Sequence, residues 1–150
     1  MERKTILLVE DNPDDEALMI RALKKNNIAN DIIIAHDGVE ALDFLFGREN
    51  FADGDGQDLV QLILLDLKLP KLDGLEVLRR IRADERTKFI PVVVLTTSSE
   101  QRDLVESYHF GANSYVQKPV DFNEFMDATR QLGTYWLVFN RVVPPATLRR

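Results

Sequence analysis

Residues 62–74 read LILLDLKLPKLDG, and this stretch decides the fold. Its leading apolar residues form a short run that is typical of a strand buried on both faces of a parallel sheet. Asp66 follows this run directly, at the point where the strand would end. In open α/β sheets, ligands bind outside the carboxyl ends of the strands. We therefore interpret Asp66 as a residue placed for chemistry, because a carboxylate at that point contributes little to stability.

Three other strand-like runs also end in polar residues. They are residues 5–9 (TILLV) before Glu10 and Asp11, residues 91–95 (PVVVL) before Thr96, and residues 114–117 (SYVQ) before Lys118. The carboxyl ends of parallel strands meet at one edge of a sheet, so these side chains should converge on Asp66. Two further acids, a hydroxyl and a lysine around one carboxylate predict a phosphoryl-transfer site.

Strands and helices alternate along the whole chain. The hydrophobic pattern predicts strands at about 5–10, 31–35, 61–66, 91–96 and 114–117, and helices at about 13–27, 38–46, 74–84, 100–109 and from 121. This alternation predicts a doubly wound α/β domain with a five-stranded parallel sheet. We assign residues 1–134 to this domain, and residues 135–150 to an extension of the last helix with a tail.

Composition excludes several classes of function. The chain has 150 residues, long enough for one domain, and a formal net charge of −6, which argues against nucleic acid as the main partner. The absence of cysteine excludes disulfides and thiolate metal sites and fits a cytoplasmic location. No apolar stretch reaches membrane-spanning length, so we expect no membrane association. We also expect no room for a DNA-binding or enzymatic output domain.

Residues 47–60 form a connection that is long for a compact α/β unit. The segment carries Asp53, Asp55 and Asp58, but its spacing lacks the sixth-position glycine and the final glutamate of a calcium loop. We interpret it as a solvated acidic loop.

A carboxylate can attack phosphorus and hold the product as an acyl phosphate. Such a site needs a divalent cation, and Glu10, Asp11 and Asp66 offer the oxygen ligands that Mg²⁺ prefers. Asp11 is the better candidate for a direct ligand, with Glu10 supporting it directly or through water. Lys118 would supply a fixed positive charge to the phosphoryl oxygens, and the Thr96 hydroxyl could donate to one of them.

Some of these residues also have a purely structural interpretation. Glu10 and Asp11 could cap the first helix, and Lys118 could be an ordinary surface lysine. Asp66 has no such alternative, because apolar residues bury its approach and it has no obvious capping role.

Two other polar stretches are better explained by local structure. Residues 97–99 are typical of an N-cap cluster, with Glu100 completing a capping box. The pair Asp73-Gly74 indicates a turn and a helix start. Neither stretch needs a role in the chemistry.

Taken together, the motifs resemble the receiver domains of two-component response regulators over nearly all of residues 4–132. The stretches that carry the resemblance are residues 6–11 (ILLVED), 64–70 (LLDLKLP) with Asp73-Gly74, 94–96 (VLT) and 111–119 (GANSYVQKP). The resemblance implies a flavodoxin-like fold with strand order 2-1-3-4-5. It also implies that Asp66 accepts a phosphoryl group from a phosphohistidine on a sensor histidine kinase or a histidine phosphotransfer protein. The protein would then signal through conformational switching and protein contacts.

The same resemblance implies how a metal ion would be held. Asp11 and Asp66 would bind Mg²⁺, with Glu10 nearby and the backbone carbonyl of Lys68 as a further ligand. Lys68 and Ser98 would tune the lifetime of the acyl phosphate.

A conformational switch is implied as well. Thr96 and Tyr115 would move together, although the pattern alone makes Tyr115 a core aromatic. The peptide bond between Lys118 and Pro119 would be cis. The kinase would dock on the outward face of the first helix, at Asp15, Leu18 and Ala22.

The last helix continues beyond a minimal receiver. The residues expected to face the sheet are Phe122, Phe125, Met126, Thr129, Leu132, Trp136 and Phe139. The run Tyr135-Trp136-Leu137-Val138-Phe139 is apolar on every side and must be covered. It either folds back onto its own domain or, in the sharper hypothesis, forms a homodimer interface. This ending resembles the small stand-alone regulators that are paired with bacterial phytochrome-type kinases.

A Mg²⁺-dependent phosphohydrolase with an aspartyl-phosphate intermediate on Asp66 is the alternative function. Enzymes of the haloacid dehalogenase type need a second acid two residues after the nucleophile, where this chain has Lys68. A degenerate receiver kept only for binding would lack Asp66, Thr96 or Lys118, and the chain has all of these. The sequence therefore predicts a signalling switch and not an enzyme.

Overall fold

The structure is a computed structural model that describes residues 5–25, 31–47 and 60–143. The strands in these ranges are β1 Thr5–Val9, β2 Asp31–Ala35, β3 Val60–Leu65, β4 Val92–Thr96 and β5 Ser114–Gln117. The helices are α1 Pro13–Lys25, α2 Gly38–Phe46, α3 Gly74–Ala83, α4 Gln101–His109 and α5 Phe122–Thr134, and a π-helical turn, Tyr135–Phe139, follows α5. The predicted acidic loop, apart from its ends, and the tail from residue 144 lie outside the described residues.

One parallel sheet contains all five strands in the order β2-β1-β3-β4-β5. The predicted doubly wound fold and its strand order are therefore confirmed. β1 lies between β2 and β3, and Val9 is in register with Leu65 at their carboxyl ends. This register brings Glu10 and Asp66, the next residue of each strand, to neighbouring positions at one edge of the sheet.

Apolar cores cover both faces of the sheet, because successive side chains of a strand point to opposite faces. Leu7 and Ile63 pack with residues of α2 and α3, whereas Leu8 and Leu64 pack with residues of α1 and α5. None of the helices in the described part of the chain has the length and apolar character that a membrane span requires.

The edge strands are less buried than the central strands. β1 and β4 are buried along their whole length, whereas β2 is mostly half-buried and β5 ends in exposed Gln117. Among the described strands, both edge strands have a neighbour on one side only. A run of β-branched residues, such as that of β2, therefore does not by itself predict burial on both faces.

The end of the last helix also differs from the prediction. Phe125 and Leu137 are buried in the core, and Trp136 packs against that core, whereas Phe122 and Phe139 are exposed. Phe122 is the first residue of α5, and Phe139 ends the π-helical turn, in which the N–H of residue 140 donates to the carbonyl of residue 135 at 2.7 Å. The wider turn shifts the helical phase, so that Leu137 faces inward instead of Phe139.

At the opposite edge of the sheet, Arg82 ties the end of α3 to the segments that precede β4 and β5. Its guanidinium donates to the carbonyls of Gly111 (2.9 Å), Lys88 (3.0 Å) and Ile90 (2.7 Å), and to Oδ1 of Asn113 (2.8 Å). The sequence pattern did not predict this network, because its members lie far apart in the chain.

We expect Arg82→Lys to lower the free energy of unfolding by about 2 kcal/mol or more, because an ammonium cannot match acceptors arranged around a planar guanidinium. Arg79→Lys on the same helix, where the exposed guanidinium pairs with Glu76 in solvent, should leave the free energy of unfolding nearly unchanged. Urea unfolding followed by circular dichroism measures both changes. Equal effects of the two substitutions would contradict the structural role of Arg82.

Candidate phosphoryl-transfer site

Three carboxylates meet at the carboxyl ends of β1 and β3, as predicted. Glu10, Asp11 and Asp66 each offer one oxygen, and these oxygens lie within 4.8 Å of one another. Glu10 is 1% exposed and Asp66 is buried, whereas Asp11 is open to solvent. The backbone N–H groups of Glu10 and Asp66 donate to the carbonyls of Ala35 (3.0 Å) and Val9 (3.1 Å), which fixes both acids relative to the sheet.

Lys118 follows β5, yet its buried ammonium reaches these acids. The Nζ atom lies 2.7 Å from Oε1 of Glu10, 3.0 Å from Oδ2 of Asp66 and 2.8 Å from Oδ2 of Asp15. The interpretation of Lys118 as a surface lysine is therefore wrong. Asp15, on the first turn of α1, is a member of the site that the sequence pattern did not predict.

Burial and charge shift the proton affinities in this cluster. Burial raises the pKa of Glu10 to about 7, and the negative charge of Asp66 acts in the same direction, while the hydrogen bond from Lys118 opposes the rise. Burial alone would lower the pKa of Lys118, but its hydrogen bonds to Asp15 and Glu10 outweigh burial and raise it. One firmly charged ammonium thus faces a surplus of carboxylates.

The donor set fits a hard divalent cation. Carboxylate oxygens are the ligands that Mg²⁺ prefers, and the raised pKa of Glu10 reflects burial and negative charge that Lys118 alone does not balance. The backbone of Lys68 lies beside the cluster, because its N–H donates to Oδ1 of Asp66 at 3.3 Å. A metal bond from the Lys68 carbonyl stays a prediction.

The loop after β3 is held by Asp73 and Gly74. Oδ1 of Asp73 caps α3 by accepting from the N–H of Glu76 at 3.0 Å, in agreement with the predicted turn and helix start. The N–H of Gly74 donates to the carbonyl of Leu67 at 2.9 Å, and a Cβ on Gly74 would stand 2.3 Å from the backbone oxygen of Asp66. Glycine is required here because α3 begins directly against the peptide of Asp66.

Both members of the predicted switch pair contact Ser98. Oγ1 of Thr96 accepts from the N–H of Ser98 at 3.3 Å, and Oη of Tyr115 donates to the carbonyl of Ser98 at 3.0 Å. Thr96 is fully buried at the end of β4, and Tyr115 is half-buried and packs against the core. A change at Thr96 can therefore reach Tyr115 through the backbone of one residue.

The prediction of a capping box at the start of α4 is wrong. α4 begins at Gln101, and the side chain of its N-cap residue, Glu100, makes no capping bond. Instead, Oγ of Ser98 accepts from the N–H of Glu100 at 3.2 Å and donates to the buried carboxylate of Asp103 at 2.6 Å. Asp103 also lies 3.6 Å from Nζ of Lys68, so the residues expected to tune the acyl-phosphate lifetime share one carboxylate.

Asn12 caps α1, and not Glu10 or Asp11 as the structural alternative supposed. Oδ1 of Asn12 accepts from the N–H groups of Asp14 (2.9 Å) and Asp15 (3.1 Å). Glu10 helps to hold Asn12 in place, since its Oε2 accepts from the backbone N–H of Asn12 at 3.1 Å. The first helix therefore has its own cap.

Two further expectations are wrong. No peptide bond between described residues is cis, so the bond between Lys118 and Pro119 is trans. The cis and trans isomers of bonds that precede proline differ in free energy by only about 0.5–1 kcal/mol, so the local sequence does not decide between them. Ala22, expected on an outward docking face, is 3% exposed, because α1 packs against α5. Asp15 is partly exposed but bonds to Lys118, and Leu18 is half-buried.

The comparisons with known proteins identify the family. Residues 6–130 match the family model described as response regulator receiver domain. This chain belongs to the response regulator receiver domains. In such proteins, phosphorylation of an aspartate carries the signal of a two-component pathway. The predicted family and switch function are therefore confirmed, and the phosphohydrolase alternative is not favoured.

Several relatives match this receiver domain along most of its length. It is 43% identical to the probable methanogenesis regulatory protein FilR2 of Methanothrix harundinacea over 141 residues, which cover 94% of this chain and 88% of FilR2. The crystal structure of the phosphorylated cyanobacterial phytochrome response regulator RcpA is 36% identical, with a TM-score of 0.87 and coverage of 93% and 98% of the two chains. The Mn²⁺-bound form of response regulator Rcp1, a protein of Synechocystis sp., is 37% identical, with a TM-score of 0.86 and coverage of 93% and 99%. The predicted similarity to phytochrome-associated regulators is confirmed.

Two carboxylates near the receiver site were not predicted as members of it: Asp15, which was expected on the docking face of α1, and Asp103. Each lies in the first turn of a helix, where acids are common because they interact favourably with the helix dipole. Their pattern therefore carries no functional signal. Only the packing of α1 and α4 on the sheet brings Asp15 to Lys118 and Asp103 to Lys68.

We expect Gly74→Ala to weaken Mg²⁺ binding by roughly tenfold or more, because the new Cβ must displace the backbone that carries Asp66. Gly111→Ala is the matched control, since its Cβ would press on Arg82 at the far edge of the sheet. That variant should lose stability and keep its Mg²⁺ affinity. Calorimetric titration with Mg²⁺ measures the affinity of both variants. Equal losses of affinity in the two variants would contradict the local role of Gly74.

Proposed function

We propose that Asp66 is the phosphoacceptor of this receiver domain, and that the chain acts as a single-domain response regulator. The observation that carries the proposal is the buried ammonium of Lys118, held 3.0 Å from Asp66 beside Glu10 and Asp11. A fixed cation aimed at one acceptor carboxylate is suited to stabilise the charge of a transferred phosphoryl group.

In the proposed reaction, an oxygen of Asp66 bonds to the phosphorus of a donor phosphohistidine while the phosphorus–nitrogen bond breaks. The electron pair of that bond stays on the nitrogen, and the donor ring, which carries a proton on its other nitrogen, departs as neutral imidazole. Lys118 donates to the phosphoryl oxygens, and its burial keeps the ammonium in place before the group arrives. The hydroxyl of Thr96 donates to a further phosphoryl oxygen. Asp11 and Asp66, with Glu10 and the carbonyl of Lys68, would hold Mg²⁺, which supplies positive charge against these oxygens when bound.

The proposed switch starts at Thr96. When its hydroxyl turns to the phosphoryl group, the N–H of Ser98 loses its acceptor, and the loop before α4 is free to move. Tyr115 is bonded to the carbonyl of Ser98 and follows that loop. The surface formed by α4 and β5 then changes, which is a two-state element biased by a local change in charge.

The proposed phosphoryl donor is a histidine kinase of the phytochrome type or a histidine phosphotransfer protein, acting in the cytoplasm. The similarity to RcpA, a phytochrome response regulator, supports this choice. Turnover as a dehalogenase-type phosphohydrolase would need an acid in place of Lys68, whose ammonium instead approaches Asp103. The chain is therefore proposed as a switch.

Incubation with acetyl phosphate should add one phosphoryl group to the wild-type chain, only when Mg²⁺ is present. Asp66→Asn should abolish the adduct, because the amide is a poor nucleophile, while Asp127→Asn on the exposed face of α5 should keep it. Intact-mass spectrometry measures the adduct. An adduct that persists in Asp66→Asn, or that is lost in Asp127→Asn as well, would contradict Asp66 as the acceptor.

The exposed apolar side chains after α5 support a homodimer as part of the same proposal. Tyr135, Val138 and Phe139 are exposed, Phe139 by 71%, whereas Leu137 and Trp136 pack against the core of their own domain. The proposed interface therefore consists of Tyr135, Val138 and Phe139. It is narrower than the five-residue interface proposed from the sequence, because Trp136 and Leu137 pack inside their own domain. Exposed aromatic and aliphatic side chains close together favour association.

We expect sedimentation equilibrium to detect a wild-type dimer that Val138→Asp with Phe139→Asp converts to a monomer, because buried unpaired carboxylates disfavour an apolar interface. Phe89→Asp is the control, since Phe89 is similarly exposed at a different surface. A wild-type monomer at high concentration would contradict the dimer.

A further inference from the structure

Asp15 differs from the other acids of the site. Its Oδ2 lies 2.8 Å from Nζ of Lys118, but it is not among the carboxylates that could share a metal ion, which are Glu10, Asp11 and Asp66. Its side chain is 21% exposed, whereas that of Glu10 is 1% exposed. Asp15 thus touches the lysine of the site without belonging to the metal cluster.

The hydrogen-bonding capacity of Lys118 is already used in this structure. A lysine ammonium has three N–H donors and no acceptor. Glu10, Asp15 and Asp66 each accept from Nζ, at 2.7, 2.8 and 3.0 Å. A phosphoryl oxygen can therefore bond to Lys118 at full strength only if one of these acceptors gives way.

Asp15 is the acceptor that gives way most easily. Glu10 is buried and would be left without its cation, which makes its release costly. Asp66 carries the incoming group itself. Asp15 is open to water on one side, so its carboxylate can be solvated when it leaves Lys118.

Other roles of Asp15 do not account for this contact. The cap of α1 uses the backbone N–H of Asp15 and leaves its carboxylate free to reach Lys118. The helix dipole is served equally by Asp14 and Glu16 in the same turn. Glu16 bonds to His36 at 2.6 Å, so only Asp15 in this turn is directed at the site lysine.

We propose that Asp15 is a positioning residue that holds Lys118 in the unphosphorylated protein and competes with the phosphoryl group for its ammonium. The inference rests on the proposed function of Asp66 and Lys118. Asp15 also adds negative charge where phosphorylation places more of it. Both effects disfavour the phosphorylated state, so the contact between Asp15 and Lys118 lowers the affinity of the site for a phosphoryl group.

Beryllofluoride, which imitates a phosphoryl group on a carboxylate, tests the proposal in the full chain at saturating Mg²⁺. Calorimetry should give a dissociation constant at least about threefold lower for Asp15→Ala than for wild type, because a competitor for Lys118 is gone. Asp15→Asn keeps an uncharged acceptor, so its dissociation constant for beryllofluoride should lie between those of wild type and Asp15→Ala. The affinity for Mg²⁺ alone should not rise in either variant, since a negative charge near the metal cluster is lost.

Asp14→Ala is the matched control, because it removes the same charge from the same helical turn at an exposed residue that is not a partner of Lys118. It should leave the beryllofluoride affinity unchanged. Equal tightening by Asp14→Ala and Asp15→Ala would overturn the proposal in favour of a general charge effect, and so would an unchanged affinity in Asp15→Ala. Wild type that does not bind beryllofluoride, or binding that survives Asp66→Asn, would instead overturn the proposed function together with the inference.

Discussion

The site depends on one buried ammonium shared by several carboxylates. Lys118 draws together residues from the ends of β1 and β3 and from α1, and its charge allows Glu10 to be buried at all. A buried carboxylate without such a partner would be strongly destabilising. The surplus of negative charge that remains is what makes the site receptive to a divalent cation. Charge balance at this one point thus connects the stability of the fold with its chemistry.

Backbone geometry places the members of this cluster. The parallel register sets Val9 beside Leu65, so the acids that come after both strands are neighbours. Gly74 lets α3 begin against the peptide of Asp66, and Ser98 lies between Thr96 and Tyr115. The chemical groups are therefore mounted on short connections between rigid elements. Small changes in those connections are sufficient to alter contacts at the neighbouring surface.

Much of the fold can be predicted from local patterns in the chain. Short apolar runs that alternate with amphipathic segments are compatible with few folds other than a parallel sheet covered by helices. The polar residue after each run marks the edge of the sheet that carries the site. The burial of β2 and β5 and the inward-facing residues after α5 could not be predicted, because edge position and the π-helical turn change exposure without changing composition. The Arg82 network was missed for a related reason, since its partners are separated in sequence.

The sequence by itself determined the doubly wound sheet, the convergence of Glu10, Asp11, Asp66 and Lys118, and the family to which the chain belongs. These depend on strand order and on the residue that comes directly after each strand, and both are written in local patterns. Only the tertiary structure decided that Asp15 and Asp103 join the site and that Leu137 packs into the core. The reason is that an acid in a first helical turn, or an apolar residue at a chain end, can face several directions. Packing against the sheet selects one of them.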